Sequence, residues 1–207
     1  MIESVENALQ ITVVLACAGV AFFRANAEQD RKWYLLCFFY GCWLLGDIYW
    51  LVCQIFFGDT PHIPMVSDLA WYGSYVFLYL LLNSAAPPER TFGKHVLPWL
   101  VFPFTAGMAV FYMQWGQIAS NLICATLMGL LMFSSIRRLQ NSRRYMTQQF
   151  LCAAILVFCM LEYVLWTSSC FFNGGEEEIQ NPYIWIDFLL TVSIFLFLPA
   201  TRKAAAE

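Results

Sequence analysis

Charge is what this sequence has least of. Only 12% of its 207 residues are charged, against 60% hydrophobic and 18% aromatic, and the mean hydropathy is +0.61. An ordinary soluble domain is excluded by that balance. No glycine-rich phosphate loop, CxxC pair or HExxH helix occurs, so the usual signatures of nucleotide, dithiol and zinc-protease chemistry are missing. The last apolar stretch has no lysine to hold retinal as a Schiff base. Only two histidines occur, His62 and His95. They are expected on opposite faces of a membrane, so no metal site is expected. Nothing calls for a cofactor or for a nucleic acid partner.

Long apolar runs are what the chain does have. They cover residues 8–23, 33–57, 66–86, 96–114, 116–136, 150–172 and 183–200, and none contains a lysine or arginine. Each is long enough, or nearly so, to cross a hydrocarbon layer about 30 Å thick. Arg24, Arg31 and Lys32 fall in the first connection and Arg90 and Lys94 in the third. Arg137, Arg138, Arg143 and Arg144 fall in the fifth, and Arg202 and Lys203 after the last run. Seven spans put all of them on one side, so the expectation is an all-α membrane protein with its N-terminus outside and its C-terminus cytoplasmic. Carboxylates occur on both sides, with Glu176, Glu177 and Glu178 outside and Glu28, Asp30 and Glu89 inside, as their weak influence on topology allows. The setting that fits is a membrane with those basic connections on its cytoplasmic face. Glu3 and Glu6 precede the first run, and a cleaved signal peptide is not expected. About seven residues, Thr201 to Glu207, follow the last run, so any output is expected through a separate partner.

All eight cysteines lie within the spans, where a thiol behaves as a small apolar group. Cys53 and Cys170 alone lie near outer helix ends, where an oxidising compartment could join them. Pro98 and Pro103 can kink the fourth span, and Pro199 is expected to end the seventh.

The single domain, residues 1–207, carries the trace of a repeat. Arg24 precedes Asp47 by 23 residues and Asp68 follows by 21; Arg138 precedes Glu162 by 24 and Asp187 follows by 25. Asp47 is followed by Tyr49 and Trp50, Glu162 by Tyr163 and Trp166, and Trp71 and Trp185 accompany Asp68 and Asp187. Halves of about residues 1–86 and 116–203, joined by a linker helix at 96–114, would run parallel in a 3+1+3 arrangement.

Asp47, Asp68, Glu162 and Asp187 are the ionisable residues within the spans. At about 1.5 Å of rise per residue, Asp47 stands about 21 Å and Glu162 about 18 Å above the cytoplasmic start of its span. Asp187 lies about 6 Å below the outer boundary and Asp68 a little shallower. Carboxyls at such depth face a bundle interior or a wet cavity, and they must be protonated, hydrated or matched by a cation. Helical spacing aligns Trp43, Asp47, Trp50 and Gln54 in one span, and Asp68, Tyr72, Tyr75 and Tyr79 in the next. It likewise aligns Cys159, Glu162, Trp166 and Ser169, then Tyr183, Asp187 and Thr191, with Gln117 and Asn121 at the same height. The expectation is one outward-facing cup in which Asp47, Asp68, Glu162, Asp187, Trp50, Trp166, Tyr72, Tyr75 and Asn121 meet a small cationic ligand.

Structural roles compete with that reading. Ser67 and Asp68 could cap a helix start, as could Asn181 before Pro182. Asp47 and Glu162 could be neutral acids bonded to a neighbouring helix. The tryptophans and tyrosines could form an interfacial belt, and the arginines could touch anionic lipid.

The stretch from Trp43 to Leu82, WLLGDIYWLVCQIFFGDTPHIPMVSDLAWYGSYVFLYLLL, contains Gly46-Asp47, then Pro64, then Ser67-Asp68-Leu69 before a tyrosine-rich helix. In this it resembles the N-terminal membrane regions of bacterial polytopic sensor proteins, including those fused to GGDEF diguanylate cyclases. The resemblance covers about a fifth of the chain and implies a sensory, ligand-binding module. A cyclase domain is absent from this sequence, so a separate cytoplasmic signalling protein would have to receive the signal. Two alternatives stay open. One is a small-solute transporter of the 3+1+3 type, proton-coupled through Asp47 or Glu162. The other is an intramembrane lipid hydrolase resembling lysoplasmalogenase, with acid and base roles at Asp47 and Glu162 or Asp187.

Overall fold

A computed structural model describes residues 2–57, 64–85, 96–140, 148–172 and 180–205. His62, His95, Glu176 to Glu178, Glu89, Arg90, Lys94, Arg143 and Arg144 lie outside the described residues. The described chain is all helical: α1 Ile2–Glu28, α2 Arg31–Phe57, α3 Pro64–Ala85, α4 Val101–Tyr112, α5 Ile118–Gln140, α6 Gln149–Phe171 and α7 Pro182–Ala205, with a short 3-10 turn, Leu97–Leu100, leading into α4. Five helices are long and apolar enough to cross a membrane: α1, α2, α5, α6 and α7. Asp68, Trp71, Tyr72, Ser74, Tyr75 and Asn83 dilute the hydropathy of α3, which is not among the five. Leu97–Tyr112 is apolar but shorter than a full span.

Local chemistry sets several of the boundaries. Gln29 adopts a left-handed conformation, φ 51°, which stops α1, and Asp30 then accepts from the backbone of Lys32 at 2.9 Å and caps the start of α2. Asn181 accepts from the Tyr183 backbone at 3.0 Å with Pro182 opening α7, the cap read from the sequence. Ser67 and Asp68 do not cap α3. That helix begins at Pro64, so Asp68 lies beyond its first turn, where backbone N–H groups already have helical partners.

Six helices close a ring in the order α1, α2, α3, α5, α6, α7 and back to α1, with α2 and α7 also touching across it. The short α4 and its 3-10 turn pack on α5. The basic residues among those described gather at one end. Lys32 Nζ donates to the Ala204 carbonyl at 2.9 Å, Lys203 Nζ lies 4.7 Å from the Phe150 ring, and Arg24 stacks 5.9 Å from Trp33.

Two sequence expectations fail at that basic end. Pro199 lies inside α7 rather than ending it. Ala200, Thr201 and Ala204 are fully or almost fully buried, and that packing carries the helix past the missing amide donor. Arg138 belongs to α5, not to a loop. It is 5% exposed and donates to Asn83 Oδ1 of α3 at 2.7 Å and to the Ser134 carbonyl at 3.0 Å.

The core is aromatic at the centre and small on α1. Phe158 meets Trp43 at 5.4 Å, Phe197 at 5.6 Å, Tyr75 at 6.0 Å and Phe39 at 6.2 Å between ring centroids, while Val14, Cys17, Ala21 and Ala25 let α1 approach closely. Leu15, Phe23, Leu45, Phe56, Leu69, Val110 and Phe195 point outward, as suits a lipid-facing surface. Hydrocarbon offers no hydrophobic drive between helices, so interlocking side chains carry much of the association. The eight cysteines are free thiols, Cys53 and Cys170 included. Phe158→Ala should therefore destabilise the detergent-solubilised protein by about 3–5 kcal/mol, read as a lowered thermal midpoint.

Candidate functional site

The Gly46-Asp47 pair of α2 is built around Trp71 of α3. A methyl group at Gly46 would sit 2.5 Å from Trp71 Nε1 and 2.8 Å from Cδ1, so only glycine lets the indole lie there. From that position Trp71 Nε1 donates to Asp47 Oδ1 at 3.3 Å. The ring is held by Trp50 and Trp43, with centroids at 6.1 and 6.5 Å. Asp47 is 7% exposed, and its second oxygen has no hydrogen-bond partner.

Glu162 of α6, 2% exposed, leaves Oε1 without a partner and lies within electrostatic reach of both Asp187 and Asp47. Asp187 of α7 is also buried. Its Oδ1 accepts from Gln10 Nε2 of α1 at 3.2 Å. The same amide reaches Thr191 Oγ1 at 3.1 Å, and that hydroxyl donates to the Asp187 carbonyl at 3.2 Å. Five helices, α1, α2, α3, α6 and α7, thus converge on three acids. Carboxylates gathered in a low-dielectric interior repel one another.

Asp68 stands apart from these three. It borders a cavity of 220 Å³ at the end opposite the basic residues, together with Trp71, Tyr72 and Tyr75 of α3 and Tyr112 of α4. Trp115 and Gly116 of the α4–α5 turn, Ser120 and Asn121 of α5, and Trp166, Ser169 and Cys170 of α6 complete the wall. Ser120 Oγ donates to Asp68 Oδ2 at 2.7 Å. The Tyr72 hydroxyl donates to the Ser120 carbonyl at 3.1 Å and also contacts Ser120 Oγ. Tyr112 donates to the Tyr163 carbonyl at 2.9 Å and bonds Thr167 Oγ1 at 2.8 Å, which fixes its ring against Trp166, 5.8 Å away at 79°. Asn121 Nδ2 is buried without a partner.

The single cup read from the sequence is therefore divided. Asp68, Tyr72, Tyr75, Asn121 and Trp166 line the cavity; Asp47, Glu162 and Asp187 do not. Trp50 packs on Trp71 and is not part of the wall. Helical periodicity put all four acids on inward faces, but it carries no information on which neighbouring side chains fill the space between them. Tyr75, 1% exposed, belongs to both regions: it lines the cavity and interacts with Glu162.

Gln10 was not singled out from the sequence. Its signal was present: Gln10 shares one helical face with Val14, Cys17, Ala21 and Ala25, all buried, so a polar side chain there had to find an interior partner. Asn7, which donates to Gln54 at 3.1 Å, was overlooked for the same reason. Among the described residues no group of His, Cys, Asp and Glu is arranged to hold a metal ion.

Comparison of the chain with protein-family models, curated proteins and solved structures gives no match.

Gly46→Ala should force Trp71 off its seat and destabilise the protein by about 1–3 kcal/mol, the usual range for overpacking. Trp71→Phe in the same chain should restore part of that loss, because the smaller ring relieves the clash. A double-mutant cycle of thermal midpoints reads the coupling.

Proposed function

We propose that this chain is an integral membrane binding module whose cavity takes a small organic cation from the extracytoplasmic side and passes its occupancy to a separate cytoplasmic protein. The observation that carries this reading is the wall itself. It has six aromatic side chains, Trp71, Tyr72, Tyr75, Tyr112, Trp115 and Trp166, one carboxyl, Asp68, and no basic side chain. Aromatic faces attract cations through their quadrupoles, and a carboxylate adds a full opposite charge. An anion would meet repulsion from both. The helices are read as seven spans, with α3 and α4 inserted among the five more apolar ones. The basic end is read as facing the cytoplasm of a bacterial cell by the excess of Lys and Arg there. Three of the helices that wall the cavity, α3, α5 and α6, run on to that basic end, which is where a cytoplasmic partner would dock. Similarity of the Trp43–Leu82 stretch to sensor membrane regions points the same way.

Proton-coupled transport is the second reading, and the buried group of Asp47, Glu162 and Asp187 favours it. Flux of a cationic solute into proteoliposomes, abolished by Asp47→Asn, would select it over the binding module.

Tetramethylammonium added to the purified full chain should quench tryptophan emission saturably and raise the thermal midpoint. Asp68→Asn should weaken that affinity about tenfold, equivalent to about 1.4 kcal/mol. Quenching that does not saturate, or that is unchanged in Asp68→Asn, counts against a cation site. A fluorescent protein fused after Glu207 should mature in the cytoplasm, and a periplasm-dependent reporter at the same position should stay inactive; the opposite pattern inverts the topology.

A further inference from the structure

We infer that Asp47, Glu162 and Asp187 form a proton-binding site behind the aromatic cavity, in which shared protons replace a metal ion or a basic side chain as the neutralising charge. Hydrogen-bond supply and demand argue for it. Trp71 gives its only side-chain donor to Asp47 Oδ1, and Gln10 gives its amide to Asp187 and Thr191. Asp47 Oδ2 and Glu162 Oε1 remain buried acceptors with no donor. An ionised carboxyl only accepts, whereas a protonated one also donates. Protonation therefore adds the kind of group the site is short of, and it removes charge that burial penalises.

A second, independent observation points to the same place. The Trp43 indole nitrogen, on a side chain 4% exposed, is directed at the Asp47 carboxyl without closing a hydrogen bond to it. A donor and an acceptor left open side by side is the arrangement that a bridging water completes, and such a water can carry a proton to the acid.

Among the described residues the surroundings offer no other neutraliser. From α1 comes Gln10, from α2 Trp43, from α3 Trp71 and Tyr75, from α6 Cys159, and from α7 Thr191; the Cys124 thiol of α5 also interacts with Glu162. The described lysines and arginines occupy the opposite end. The carboxyls are not arranged to hold one metal ion. Tyr75 is the partition between this site and the cavity.

The test is infrared spectroscopy of the full chain in lipid nanodiscs at neutral pH, without ligand. The C=O stretch of protonated carboxylic acids should be present, should shift in deuterated water, and should lose intensity in Asp47→Asn and in Glu162→Gln. Glu28→Gln, at the exposed Arg24 pair, should leave it unchanged. Each replacement is close in shape to the neutral acid, so folding should survive; if one variant fails to fold, the wild-type band and the other variant decide. A neutral-pH spectrum with no protonated-acid band overturns the inference, as does a band that both variants retain. A band removed by adding sodium or calcium ions would assign the site to a metal cation and overturn it equally. No cavity ligand enters this experiment, so its failure is distinct from failure of the cation-binding reading.

Discussion

Everything in this bundle is arranged around the difficulty of keeping acids inside it with no base among them. A carboxylate in a low-dielectric interior demands donors, and the chain recruits them from helices far apart in sequence. Gln10 reaches Asp187 across 177 residues, and Trp71 reaches Asp47 across 24. Those two bonds also serve the fold, since the first joins the ring where α1 meets α7 and the second joins α2 to α3. Polar contacts between helices in lipid are worth about 0.6 kcal/mol on average, with a maximum near 1.7. They orient the helices more than they hold them, and the holding falls to the aromatic core.

That core explains why the polar features occupy one end. Phe39, Trp43, Phe158 and Phe197 pack against one another in the middle. Toward the basic end the interior closes further, with Arg138 bound to Asn83 and Lys32 to the end of α7. The cavity remains at the opposite end, where the short α4 turns tightly into α5 and Gly116 packs against Asn121.

The helices were legible because long apolar runs are separated by short polar connections. Their boundaries were less so. Pro199 reads as a terminator in any local analysis, and only the burial of Ala200, Thr201 and Ala204 carries α7 beyond it. Arg138 reads as a loop charge until Asn83 is seen opposite. For the site, residue type and helical face identified Asp68, Tyr72, Tyr75, Asn121 and Trp166 as interior, and they do meet. The separation of Asp68 from the other three acids was not legible, because it depends on where Tyr75 and Trp71 come to rest between helices. Gln10 was hidden by its setting, one amide in a helix whose length and apolarity spoke only of the membrane.

Trp71 occupies a boundary position: one side of its indole borders the cavity, and its nitrogen is bonded to Asp47, with Gly46 too close behind for retreat. An indole's excited state redistributes electrons between its two rings, so its emission colour follows the electric field along that axis. Whatever alters the charge on Asp47, or crowds the ring from its open side, is written into that colour. Nature has in effect installed an optical gauge between the two compartments.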